Sequence, residues 1–118
     1  TRAITDSAGR RYPMVGRLPT EALMAGQGLK LGYVEATALC DHLLAAAGET
    51  VRGHEFHCSQ LTEPPVTPAW SCQSRFGAPR IEGFAEAGIL ASYIHQHFAA
   101  SPTAARRFTD KAILCSDG

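Results

Sequence analysis

The chain has 118 residues, no formal net charge and 45% hydrophobic residues, a length and make-up suited to one globular domain. Neutral charge removes the electrostatic footprint of a protein that binds nucleic acid or an anionic membrane. No apolar run approaches the ~18 residues of a spanning helix, and the opening residues Thr1-Arg2-Ala3-Ile4-Thr5-Asp6 hold no apolar signal segment, so a cytoplasmic protein without nucleic-acid or membrane partners is expected.

Residues 12–19 read as a short strand closed by Pro19, and residues 20–24 as one helical turn. Residues 29–39 alternate apolar and polar positions and predict a strand. Residues 40–44 fit either a continued strand or a short helix, and residues 45–50, with Gly48, form a turn into the next strand. That strand carries Arg52-Gly53-His54-Glu55-Phe56-His57-Cys58-Ser59. Side chains two apart share a face of a strand, so Arg52, His54, Phe56 and Cys58 point one way and Glu55 and His57 the other. Phe56 is expected to bury its face. Glu55 and His57 then share the opposite one, where a carboxylate beside an imidazole fixes a tautomer or serves acid–base work.

Pro64, Pro65 and Pro68 mark a loop, since proline lacks an amide donor. Residues 68–72 predict another strand, residues 76–79 a hairpin-like turn and residues 80–85 a further strand. Gly88 interrupts the pattern, and the apolar residues 89–94 predict a strand buried on both faces. Tyr93-Ile94-His95-Gln96-His97-Phe98 follows it. Ligands collect at the carboxyl ends of strands in open α/β sheets, so His95 is expected to open onto a cleft. Ser101 as N-cap and Pro102 at the first helical position start a final helix, with Ala105, Phe108, Ala112 and Cys115 on one face, and Gly118 ends the chain.

The four cysteines, Cys40, Cys58, Cys72 and Cys115, form no close pair of the kind a structural zinc site uses, and reduced thiols are expected. A metal site built from His54, His57, Cys58 and a distant residue is a minor alternative; no metal is assigned. The local pattern leads to an α/β or α+β domain.

Both histidine motifs, together with Met14-Val15-Gly16-Arg17-Leu18-Pro19, Leu31-Gly32-Tyr33-Val34-Glu35-Ala36, Pro68-Ala69-Trp70 and Glu82-Gly83-Phe84, resemble the C-terminal part of the cobyrinate (hydrogenobyrinate) a,c-diamide synthase family. The resemblance covers nearly the whole chain. It implies an α/β fold: residues 1–118 would be the C-terminal portion of a class I glutamine amidotransferase-like, flavodoxin-like glutaminase domain. It also implies an ATP-dependent, glutamine-hydrolysing amidase of cobalamin biosynthesis, acting on the a and c carboxylates of a corrinoid precursor. The family's catalytic histidine falls on His95, which would activate a cysteine nucleophile and protonate the departing ammonia. Arg52, His54, Glu55 and His57 are candidate supporting residues.

Two departures stand against that pattern. No cysteine lies in the family's Cys-Gly-Gly elbow, so the nucleophile and the ATP-binding domain are expected on a longer protein, and this chain alone is expected to be inactive. His97 stands where many class I amidotransferases carry a glutamate, which leaves Glu55 as a candidate orienting acid. ATP and Mg2+ are expected in the complete enzyme and no cofactor on this chain. The chain is expected to pack against the remainder of the enzyme or to self-associate as a homo-oligomer. The alternative function is a non-catalytic interaction or regulatory module that keeps the fold.

Overall fold

The computed structural model describes every residue except Ala25, Gln27, Phe76, Ala87, Asp117 and Gly118, and only the backbone of Cys115 and Ser116. In chain order the strands are β1 (Ala3–Thr5), β2 (Arg11–Pro13), β3 (Ala22–Leu23), β4 (Lys30–Ala38), β5 (Thr50–His57), β6 (Gln60–Leu61), β7 (Pro68–Ser74), β8 (Arg80–Glu86), β9 (Ile89–Ala91) and β10 (Ile94–His95). A single 3-10 turn (Phe98–Ala100) leads to helix α1 (Pro102–Ser116). The strand-rich middle and terminal helix match the expected α/β class.

A small sheet has the order β2-β1-β3-β6, and a large one the order β10-β5-β4-β7-β8-β9. All pairs in the large sheet are antiparallel; the parallel pair is β1 with β3 in the small one. Residues 20–24 form this short strand and its flanks instead of the expected helical turn. A lone turn of helix fixes many dihedrals for one hydrogen bond. Here Met24 N donates to Thr5 O at 2.9 Å and Thr62 N to Glu21 O at 3.0 Å, so neighbouring strands satisfy the backbone better. The strand expected over residues 12–19 is shorter, Arg11–Pro13. Residues 40–44 form bends, neither strand nor helix. The expected turn at 76–79 joins β7 to β8, with Phe76 outside the described residues.

The large sheet is curled. β9 and β10 are its opposite edges, yet only Ser92 and Tyr93 lie between them in the chain. Five inter-strand steps of about 4.8 Å would separate the edges of a flat sheet by roughly 24 Å. The three Cα steps from Ala91 to Ile94 span at most about 11 Å. The sheet therefore rolls towards a barrel. The strand expected over residues 89–94 is thus two strands on two edges, and β9 is half-buried, not buried on both faces. Glu82 explains the break: its Oε2 accepts from Ser92 Oγ at 2.6 Å and its Oε1 from Tyr93 N at 2.8 Å. These bonds take the chain off β8 and across to β5.

Inside the roll, Val34, Ala36 and Ala38 of β4 face Trp70 and Cys72 of β7, with Ile94 closing the far edge. Trp70 is wholly buried, and the small alanines opposite make room for it. His42 packs edge-on against Trp70 at 4.4 Å between centroids. Burial, and next the charge of Arg107, hold His42 below the ordinary value of 6.5 against the opposing pull of Asp41 and Glu49. α1 starts at Pro102 as expected and buries Ala104; Phe108 is half-exposed and meets Phe98 at 6.4 Å, so the expected apolar face is only partly covered.

Two outcomes follow. A β-carbon on Gly53 would lie 2.2 Å from Ile94 Cγ2 and 3.1 Å from His95 O. Gly53→Ala should therefore destabilise the fold by roughly 1–3 kcal/mol and speed amide exchange in β10, as urea melts and hydrogen exchange would report. A histidine depressed in the fold binds its proton more readily when unfolded, so stability should be full above pH 6.5 and decline as pH falls below it. His42→Gln should flatten that decline; an unchanged slope of urea midpoint against pH would contradict the assignment.

Candidate active site

β5 carries two groups of polar side chains, one on each face. The parity follows the strand period, but the buried face is the opposite of the expected one. Glu55 is 4% exposed, whereas Phe56 is 57% exposed. The reason lies across the barrel: Arg80 of β8 reaches Glu55 and forms an ion pair with its Oε2. A buried carboxylate needs such a partner, and an exposed phenylalanine does not.

The inward group surrounds that pair. His57 Nε2 lies 3.4 Å from Glu55 Oε1, and its Nδ1 lies 2.8 Å from Ser59 O. A carbonyl only accepts, so Nδ1 carries a proton. The imidazole stacks flat on Tyr93 at 3.8 Å and 9°. The Tyr93 hydroxyl lies 2.7 Å from Ser59 Oγ. Glu82, Ser92 and Tyr93 form the closing contact described above. A cavity of about 350 Å³ opens among Lys30, His57, Arg80, Glu82 and Tyr93.

The outward group holds His95. It pairs directly across from His54, with ring centroids 6.2 Å apart. His54 in turn meets the ring of Tyr33 edge-on at 5.5 Å. Tyr33 is 82% exposed, and Leu31 and Phe56 are exposed cross-strand neighbours on the same face. His95 is exposed at the sheet edge, not set in the expected cleft. Arg52 pairs with Glu35 Oε1 at 3.2 Å, both side chains being exposed.

The sheet therefore separates the residues that the sequence groups together. Ile94 lies opposite Glu55 and His95 opposite His54, so Glu55 and His95 point to opposite faces. Glu55 engages His57 and Arg80, not His95. His54 and His57 also point apart and cannot close on one metal ion. Among the described residues no cluster of three His, Cys, Asp or Glu side chains is placed to hold one. His97 serves the backbone: its Nδ1 accepts from Ala99 N at 3.2 Å and caps the 3-10 turn. Cys58 is exposed and lies just past the end of β5. Cys72 lies in the core, where burial pushes its thiol up to about 11, so it is not a thiolate near neutrality.

Arg80, Glu82 and Tyr93 were not singled out from the sequence. The signal existed for two of them. Arg80 and Glu82 are two apart in a predicted strand, the same spacing that joins Glu55 to His57.

The family described as a CobB/CobQ-like glutamine amidotransferase domain matches residues 1–103. The chain belongs to that family. Within this amidotransferase family, similar curated proteins carry the names of the diamide synthases. A hydrogenobyrinate a,c-diamide synthase of Streptomyces coelicolor is 46% identical over 84% of this chain and 20% of its own length. Cobyrinate a,c-diamide synthases of Syntrophotalea carbinolica and a Synechococcus strain are 38% and 41% identical over 86% and 89% of this chain, each over 23% of its own length. The chain thus spans between a fifth and a quarter of these relatives. No solved structure matches. No described helix of this amidotransferase domain is long and apolar enough to cross a membrane.

The two faces predict different sensitivities. Glu55→Gln leaves Arg80 without its countercharge in a largely buried setting and should cost about 2 kcal/mol, discounted from the ~3–5 kcal/mol of a fully buried pair because Arg80 is partly solvated. Arg52→Ala removes an exposed pair and should cost below about 1 kcal/mol. Equal losses in urea melts would contradict the assignment of faces.

Proposed function

We propose that this domain is the histidine-bearing part of a glutaminase that supplies ammonia to an ATP-dependent corrinoid a,c-diamide synthase. The observation that carries the reading is the exposed His95, directly across from His54 on the outer face of the sheet, in a chain of the amidotransferase family. His95 would take the proton from a cysteine thiol, which then attacks the glutamine amide, and would return a proton to the departing ammonia. Cys72 is buried, and none of Cys40, Cys58, Cys72 and Cys115 stands in a Cys-Gly-Gly setting. The reading therefore draws the nucleophile from the rest of a longer enzyme, and this chain alone would have no glutaminase turnover. The exposed face of Leu31, Tyr33, Phe56 and His95 would seat that remainder, since monomers rarely leave a large apolar patch uncovered. ATP and Mg2+ would likewise belong to the remainder. The substrate would be the a and c carboxylates of cobyrinate or hydrogenobyrinate.

The test uses the full-length enzyme with two nitrogen donors. His95→Ala should lower the glutamine-dependent rate by ~10²–10⁴-fold, the usual contribution of an acid–base group, while activity with ammonium at alkaline pH persists. His57→Ala should weaken both activities together, because its stacking on Tyr93 and its contact with Glu55 hold the domain. Loss of both activities in a folded His95→Ala protein would overturn the role given to His95. So would retention of both.

A further inference from the structure

Glu82 acts on the segment that carries His95. Its side chain is 7% exposed, in the middle of β8. Glu82 Oε2 accepts from the Ser92 hydroxyl at 2.6 Å. A carboxylate oxygen only accepts, so the hydroxyl proton points at Glu82. The Ser92 oxygen then accepts in its turn from Ile94 N at 3.0 Å. Glu82 Oε1 accepts from Tyr93 N at 2.8 Å. One buried carboxylate thus governs two successive amides, Tyr93 directly and Ile94 through Ser92. The next residue is His95.

β10 leans on this anchor. It is two residues long and stands at an edge of the large sheet, paired with β5. Its register sets Ile94 against Glu55 and His95 against His54. A slip of one residue would send the His95 ring to the other face, and two residues of ladder resist such a slip weakly. Hydrogen bonds to a carboxylate are among the stronger ones, and Glu82 supplies both of its own at the entry to the strand. We propose that Glu82, acting through the Ser92 hydroxyl, is a positioning residue for His95: it fixes the start of β10 and with it the place and direction of the imidazole during proton transfer. The proposal rests on the glutaminase reading of His95. An acid–base group must stand within hydrogen-bond reach of the atom it serves, and a displacement of about 1 Å can cost on the order of 10²-fold in rate. Proton transfer follows glutamine binding, so the effect belongs on kcat and not on the glutamine KM.

The experiment assays the full-length enzyme with glutamine and with ammonium at alkaline pH. Ser92→Ala removes the oxygen that links Glu82 to Ile94 N. Glu82→Gln keeps an acceptor for Tyr93 N and replaces the oxygen that takes the Ser92 proton. Each should lower kcat with glutamine by roughly 10–100-fold. The glutamine KM and the ammonium-dependent rate should stay near wild type. Ser92→Thr keeps the hydroxyl and should restore most of the loss. Added to His95→Ala, Ser92→Ala should cost nothing further, because no imidazole is left to position. A further loss in that double variant would overturn the proposal. So would glutamine and ammonium rates that fall together in Ser92→Ala, the mark of a purely structural bond. Where Glu82→Gln fails to fold, Ser92→Ala and its Thr counterpart decide alone. Near-wild-type Ser92→Ala beside a crippled His95→Ala would sink the positioning role and leave the glutaminase reading standing. Near-wild-type His95→Ala would remove both.

Discussion

Everything in this domain depends on how the chain crosses from β9 to β10 in two residues. That crossing is possible only if the six-stranded sheet curls until its edges nearly meet. The buried Glu82 carboxylate holds it, with one oxygen on the Ser92 hydroxyl and the other on the Tyr93 amide. A carboxylate taken out of water is costly unless it accepts hydrogen bonds, and these two donors place one on each oxygen. Gly53 completes the closure from the other side, since only a residue without a β-carbon lets Ile94 lie against β5.

Curling gives the sheet an inside and an outside, and that division sorts the chemistry. The inside has an apolar end around Trp70 and a polar end around Glu55, Arg80, His57 and Tyr93. The polar end is a connected network, and its members are held by one another more than by solvent. Removing any one leaves a charge or an acceptor unpaired in a low-dielectric setting, where the loss exceeds the net worth of the bond. The outside carries His95 in a very different state: exposed, beside the His54 ring, and free of a carboxylate from Glu55. A histidine so placed is accessible to a second surface, whereas His57 is committed to its own fold.

Much of this was legible in the sequence, because most of it rests on local periodicity. The alternation in β4, the strands at β5, β7 and β8, the turn at Gly48 and the start of α1 at Ser101-Pro102 follow from spacing, glycine and proline. The parity of β5 was legible too. Its burial was not, because the local pattern makes Phe56 the natural core residue, and only Arg80, 25 positions downstream, makes Glu55 the better one. Residues 89–94 misled for the same reason. Their composition fits one apolar strand, while the break at Ser92 and Tyr93 is imposed by Glu82. Residues 20–24 lack the length to stand as a helix, and their pairing with β1 depends on neighbours that local propensity does not see.

The exposed apolar side chains follow the same logic. Leu31, Tyr33 and Phe56 do not lie at random over the surface; they sit on the outer face of β4 and β5, beside His54 and His95. Strand period two forces this, since filling the inside of the roll with Val34, Ala36 and Glu55 leaves the alternate residues of both strands outside. In a sheet whose outer face met only water, those positions would favour polar residues. Apolar residues there, next to the histidine that the family resemblance singles out, make this the face on which a larger assembly would build. The polar network under it then has a mechanical role. It ties β5 to the start of β10, where His54 and His95 lie directly across from each other.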